Sequence, residues 1–231
     1  MRYIICYIKR RYGKIDKIVS ENPEKINYQE YQYGNTLLML TIMPQQLKSF
    51  KALLKNGADV NIHDTFDGTS PLIMACSSEF YNITFAKTLI EYGADVNDVE
   101  TGERRKENGT RFTPLIAASR TGRLDLVRFL VSKGADVNYQ NEFGQSALSE
   151  SVMVDEYKVA YYLLQNGADY NRPIYYRFDY SVPIEKSVPK DKGKPMYLWD
   201  VLKEDLSEFG TSEYKYKMLI IDFLKSKDKV K

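Results

Sequence analysis

The sequence predicts an all-α solenoid of stacked helix-turn-helix units, with four central repeats closed by a degenerate capping repeat at each end. Three observations predict it. The ending Gly-Ala-Asp, then Val or Tyr, then Asn recurs at Gly57–Asn61, Gly93–Asn97, Gly134–Asn138 and Gly167–Asn171, with the asparagines 36, 41 and 33 residues apart. A weaker copy, Ile26-Asn27, lies 34 residues before Asn61. A second motif, Thr36-Leu37-Leu38, Ser70-Pro71-Leu72, Thr113-Pro114-Leu115 and Ser146-Ala147-Leu148, precedes the following glycine by 21, 23, 21 and 21 residues, so two motifs hold one phase. Between them run apolar stripes at helical spacing.

Each unit is built the same way. A Thr or Ser before Pro-Leu is a helix N-cap, and proline suits the first helical position because its missing donor would be unpaired there anyway. In repeat 3 (110–142) the first helix carries Leu115, Ile116, Ala117 and Ala118, and Thr121-Gly122 breaks it. A second helix over Leu124–Lys133 turns Leu124, Val127, Leu130 and Val131 inward. The matching stripes are Leu47, Phe50, Leu53 and Leu54 in repeat 1 (34–66) and Val159, Tyr162 and Leu163 in repeat 4 (143–171). The recurring glycine stops each second helix. Repeat 2 (67–109) carries an inserted loop.

Helix pairs bury both faces only by stacking, and the array needs polar end units. The N-terminal capping repeat (1–33) is read as Tyr3–Arg11 and Lys14–Ser20, closed by Asn22-Pro23 and Ile26-Asn27. The C-terminal one (195–231) is read as Met196–Leu206, with Trp199, Val201 and Leu202 inward, and Glu213–Lys225, with Met218, Ile220, Ile221 and Leu224, before a solvated lysine-rich tail. The whole chain, 1–231, is expected to form one domain.

On these motifs the sequence resembles the ankyrin-repeat family, whose unit of about 33 residues combines a β-turn with two helices and a Thr-Pro-Leu-His-x-Ala signature. The resemblance covers nearly the whole chain and implies β-turn or hairpin fingers between units. Met39, Ile73, Ile116 and Ser149 stand where the family has histidine. That departure bears on a polar network between neighbouring units and not on the fold.

The 231 residues are 43% hydrophobic and 28% charged, a globular composition, and 33 basic against 31 acidic side chains call for neither nucleic acid nor an anionic surface. Cys6 and Cys76 sit in apolar contexts without metal or redox spacing and read as core fillers of a reduced protein. The first residues lack a signal-peptide pattern and no segment has the roughly 20 apolar residues that span a bilayer, so the expected address is the cytoplasm, with no membrane. Asn82-Ile83-Thr84 and Asn108-Gly109-Thr110 are then chance matches to a glycosylation pattern.

Catalysis is not expected. The chain has one histidine, His63, and shows no phosphate loop, no clustered metal ligands and no need of a cofactor. The aspartates Asp59, Asp95, Asp136 and Asp169 belong to the repeat ending and are spread along the array. The expected function is binding another protein, as a monomer, through the finger tips and the concave ends of the first helices that the resemblance implies. Tyr33, Phe66, Asp67, Phe112, Glu142 and Phe143 fall at the fingers. These rings either contact a partner or pack along neighbouring turns. His63 lies in the turn between repeats 1 and 2, as a plain surface residue or a ligand contact. The first-helix ends supply Met43, Ser77, Ser78, Arg120, Thr121, Met153 and Val154.

Two connections are long, 98–112 with 15 residues and 172–194 with 23, and long loops in compact arrays are functional or floppy. The second, an extended loop, holds Tyr175, Tyr176, Arg177, Phe178 and Tyr180. A weaker alternative is nucleic-acid binding through Arg172, Arg177, Lys186, Lys190, Lys192 and Lys194. The partner is not named by the sequence.

Overall fold

Where a cap hydroxyl is available, a first helix begins. Thr36, Ser70, Thr113 and Ser146 each accept a hydrogen bond from the backbone amide three residues on, at 3.3, 3.4, 3.2 and 3.1 Å. They open α1 (Met39–Ile42), α3 (Pro71–Ser77), α5 (Pro114–Arg120) and α7 (Ala147–Met153). The second helices are α2 (Leu47–Lys55), α4 (Ile83–Glu91), α6 (Leu124–Ser132) and α8 (Tyr157–Gln165). This computed structural model describes residues 25–77, 82–102, 111–177 and 193–228. The expected helix pair before residue 21, Cys6, Ser78, Phe178, Tyr180 and the lysines at 186, 190 and 192 lie outside the described residues.

The repeat ending has a separate physical reason at each position. Gly57, at φ +89°, is the left-handed residue after α2. Its amide donates to Leu54 O and that of Ala58 to Leu53 O, which satisfies two orphan carbonyls, while the alanine methyl is buried. Asp59 Oδ1 then accepts from Asn61 N at 2.8 Å, a local turn repeated at Asp95, Asp136 and Asp169. The asparagine reaches the next repeat. Asn61 donates to Gly93 O and accepts from Asp95 N, Asn97 donates to Gly134 O, and Asn138 donates to Gly167 O and accepts from Asp169 N. Asparagine is selected because its amide offers a donor and an acceptor in one plane. The polar link between repeats therefore runs through these asparagines. The positions where the family's histidine would stand are buried, and at the last of them Ser149 Oγ accepts from Ser146 N and completes a capping box.

The chain divides into two compact units, 1–117 with 133–135, and 118–132 with 136–231. In the first, α1 packs on α2 and α3, and α3 on α4. Phe50 of α2 and Phe85 of α4, both fully buried, meet edge to face at 4.7 Å between ring centres. Cys76 is a buried free thiol in this core. In the second, α8 packs on α6, α7 and α10 (Ser212–Asp228), and α9 (Leu198–Glu204) packs on α10.

Several sequence expectations change. Leu47, Tyr162 and Val201, expected to face inward, are half-buried. Leu124 and Val131 are half-buried, and the inward face of α6 is Leu126, Val127 and Leu130. Leu124 opens the helix, where a side chain leaning toward the N-terminus overhangs the contact. Trp199 is exposed because Leu198 and Leu202, one turn apart, form the buried face of α9, and Lys203 Nζ instead lies 5.2 Å from the indole centre. The ends of the loop 172–194 are not merely extended. β1 (Tyr175–Arg177) pairs antiparallel with β2 (Lys194–Met196), Tyr175 opposite Met196 and Arg177 opposite Lys194.

Candidate functional site

Three fingers are each organised by one side chain that caps its own loop. Asp64, buried, accepts at Oδ1 from Phe66 N and Asp67 N, both at 2.8 Å, and at Oδ2 from Thr69 N at 3.0 Å. Glu30 does this for Gln32 and Tyr33, and Asn141 for Phe143 and Gln145. Burial works against the Glu30 charge, but the backbone donors outweigh it and hold its carboxyl below the usual range. The capping residue is a glutamate, an aspartate and an asparagine in turn, which conceals the pattern from a search for identical motifs.

In the first unit the fingers zip together through backbone. Thr65 N donates to Tyr33 O, Thr101 N to Gly68 O and Gly102 N to Asp67 O, at 3.0, 3.0 and 3.2 Å. Tyr33 is exposed, and its ring meets the half-buried Phe66 ring at 5.4 Å and 89°. Of the two readings open for the finger aromatics, packing along neighbouring turns holds for this pair. Asp67 is half-buried at the zipped edge.

Phe112 is a correction. It is only 6% exposed, because the end of the inserted connection folds back on Glu100, which donates its amide to Phe112 O and accepts Phe112 N at Oε2. It cannot present an open ring to a partner.

His63 is also no plain surface residue. Its Nε2 lies 3.0 Å from Asp98 Oδ1, with side chains 19% and 18% exposed, so it clasps its finger to the next beside a polar recess lined by Asp64, Thr65, Gly68 and Thr101. The hydrogen bond to Asp98 raises the His63 pKa against the opposing effect of burial, helped by the charges of Asp98 and Asp64 and by Gly68 backbone. Burial opposes the Asp98 charge, but hydrogen bonds from His63 and Ser70 prevail and lower its pKa.

The His63 contribution is complete below its unfolded value near about 6.5 and is lost as pH rises through the raised folded value. The Asp98 contribution is complete above about 4 and is lost as pH falls through its lowered value. Urea midpoints should therefore decline from about pH 6 upward through the His63 titration, and Asp98→Asn should flatten that decline. An unaltered chain with a level profile across this range would remove the clasp.

In the second unit Arg120 and Met153 stand exposed at the ends of α5 and α7, and Thr121 is half-buried with its hydroxyl on Ala118 O. Arg120 Nε is 3.7 Å from Glu150 Oε2. Burial raises the Glu150 pKa, opposed by Arg120 and Gln145. Phe143 is 49% exposed beside the exposed Glu142. At the hairpin, Tyr176 and Arg177 are exposed and Tyr175 half-buried. Arg177 pairs with Glu204 and donates to the Tyr175 hydroxyl. Arg172 is engaged by Asp169 at 3.0 Å.

Residues 8–100 and 99–174 match the family model described as ankyrin repeats, three copies. The chain belongs to the ankyrin-repeat family. Its fold is accordingly the all-α ankyrin solenoid, with four central repeats in the phase described. An ankyrin repeat protein of Fowlpox virus is 33% identical over 115 residues, 50% of this chain and 18% of the relative. An ankyrin repeat protein of Variola virus is 37% identical over 94 residues, 41% and 15%. Neurogenic locus notch homolog protein 1 of Mus musculus is 33% identical over 136 residues, 59% and 5%. The chain thus spans less than a fifth of the length of these relatives. Among the described residues no helix is long and apolar enough to cross a membrane.

Proposed function

We propose that this protein is a non-catalytic cytoplasmic module that binds a partner protein. In the second unit the contact is made by Arg120, Thr121 and Met153 at the first-helix ends and by Glu142 and Phe143 on the finger. In the first unit Tyr33, with Phe66 and Asp67 behind it, offers a further finger contact. The observation that carries the reading is at α7: Ala147 through Val152 are all buried, yet the next two residues, Met153 and Val154, are 52% and 40% exposed. The helix is already packed without them, so an adaptable methionine and a neighbouring valine stand in water where a partner would cover them. Ankyrin repeats serve in general as protein-interaction modules, which supports the same reading.

Chemistry finds little to work with. Burial pushes the Cys76 thiol up, away from the reactive thiolate. Nucleic-acid binding is weakened by the pairing of Arg172 with Asp169 and of Arg177 with Glu204.

The test is capture from the source cell with the full chain as bait and the altered bait Arg120→Gln, Phe143→Ala, Met153→Asp beside it. Recovery of a specific partner should fall about tenfold or more while the melting temperature stays put. Equal recovery by both baits sinks the assignment of these residues.

A further inference from the structure

The chain has three Asn-Gly steps, and two of them, Asn56-Gly57 and Asn166-Gly167, end second helices of the repeats. Asn108-Gly109 lies outside the described residues. Asparagine followed by glycine is prone to a reaction within the chain itself, because no side chain on the glycine shields its backbone nitrogen from the asparagine Cγ. At the first site, Gly57 N gives up its proton to solvent base and bonds to Asn56 Cγ. The Cγ–Nδ2 bond breaks and Nδ2 leaves as ammonia, taking a proton back from solvent. Water then opens the cyclic imide at either carbonyl, giving aspartate or isoaspartate.

The folded cap opposes ring closure. At ψ 11° for Asn56 and 21° for Asn166, the glycine nitrogen sits beside the asparagine's own backbone nitrogen and away from Cβ. Asn56 Nδ2 donates to Ala52 O and Asn166 Nδ2 to Tyr162 O, each at 2.8 Å, which holds the side-chain amide back along the helix. The attacking nitrogens are engaged as well, Gly57 N by Leu54 O at 3.0 Å and Gly167 N by Leu164 O at 3.2 Å. The reaction therefore passes through an opened cap, and its rate reads the opening equilibrium.

The two caps are both exposed but not equally held. After α8, Asn138 Nδ2 donates to Gly167 O at 3.0 Å and Asn138 Oδ1 accepts from Asp169 N, while Arg172 Nε donates to Asp169. After α2, Asn27 Oδ1 accepts from Asp59 N at 2.9 Å, and among the described residues no donor meets Gly57 O.

We propose that Asn56 is a spontaneous modification site, gated by the C-terminal cap of α2, whose conversion to aspartate or isoaspartate loosens repeat 1 irreversibly. The product accounts for the loosening. A carboxylate replaces the amide that donates to Ala52 O, and it sets a negative charge at the negative end of the helix. Isoaspartate also adds a carbon to the main chain just before Gly57 and Ala58, whose amides satisfy Leu54 O and Leu53 O. That last turn carries Leu53 and Leu54, both buried in the core. The site does not depend on which surface a partner covers.

The experiment holds the full chain in mildly alkaline buffer, with a parallel sample in denaturing guanidinium chloride, and follows each Asn-Gly step by peptide mass mapping with isoaspartate detection. In the folded chain Asn56 should convert about fivefold faster than Asn166, the factor for one hydrogen bond, and unfolding should remove the difference. Unfolding should also accelerate Asn56 by about tenfold or more. Asn56→Asp, which carries the product charge, should lower the urea midpoint below that of both the parent and Asn56→Gln, and Asn56→Gln should abolish the reaction at this position.

Three results overturn the proposal. These are Asn56 reacting no faster than Asn166 in the folded chain, Asn56 reacting as fast folded as unfolded, or an Asn56→Asp chain whose urea midpoint matches that of the parent or of Asn56→Gln.

Discussion

Phe50→Ala should destabilise the first unit by about 3–5 kcal/mol, the range for emptying the site of a fully buried aromatic ring. The side chain is wholly inaccessible, and its ring closes against Phe85, so truncation both returns less apolar surface to the core and leaves a void that rigid helix pairs cannot fill. Phe85→Ala should cost nearly as much, and the double variant less than the sum by about 0.5–1.5 kcal/mol, because the second truncation removes a contact already lost. Tyr92→Ala, half exposed at the end of α4, should stay within about 0.5 kcal/mol and serves as the control. The chain has a single tryptophan, Trp199, which lies in the second unit, so hydrogen exchange at the α2 and α4 amides is the better readout for the first. A loss under about 1 kcal/mol for Phe50→Ala would mean that α2 and α4 do not pack as described.

Gly68→Ala should be strongly damaging for so small a substitution. Its φ of +70° already disfavours a side chain by about 1–2 kcal/mol. A Cβ there would also lie 2.2 Å from Thr101 Oγ1 and 2.4 Å from Gly102 N, so the next finger must move and give up the hydrogen bonds to Gly68 O and Asp67 O. At about 1 kcal/mol for each bond, the total comes to roughly 3–4 kcal/mol. Gly57→Ala separates the two effects: its φ is +89° with nothing within 4 Å, so only the backbone strain of about 1–2 kcal/mol applies. Urea midpoints that fall equally for the two variants would show that the zipped fingers contribute nothing.

The repeat was legible because its physics is local. A cap hydroxyl, a helix stop and an Asx turn each act within a few residues, so Thr113, Gly134 and Asp136 identify themselves in any context. The candidate site was legible only in part. Phe143 is exposed at the finger where the repeat phase puts it and Met153 at the first-helix end that the resemblance implies, whereas Phe112, expected open at a finger, is buried, and outside the site Trp199, expected inward, is exposed, because burial depends on which neighbour arrives. Phe112 is covered by a connection folding back on Glu100, and Trp199 is displaced outward by Leu198 and Leu202 facing α10.

His63 and Asp98 lie 35 residues apart and share no motif, so nothing in either segment announces that they meet. Leu206, expected to close a helix over Met196–Leu206, lies outside it, because α9 stops at Glu204 and Lys217 and Ser207 hold Asp205 in the loop that follows. The sequence by itself determined the ankyrin fold, the phase of its repeats and the caps and stops of its helices, since these follow from backbone preferences read residue by residue. Which side chains end up in water, and which distant charges become partners, was decided only by tertiary structure, because exposure and ion pairing belong to the space between segments and not to any one of them.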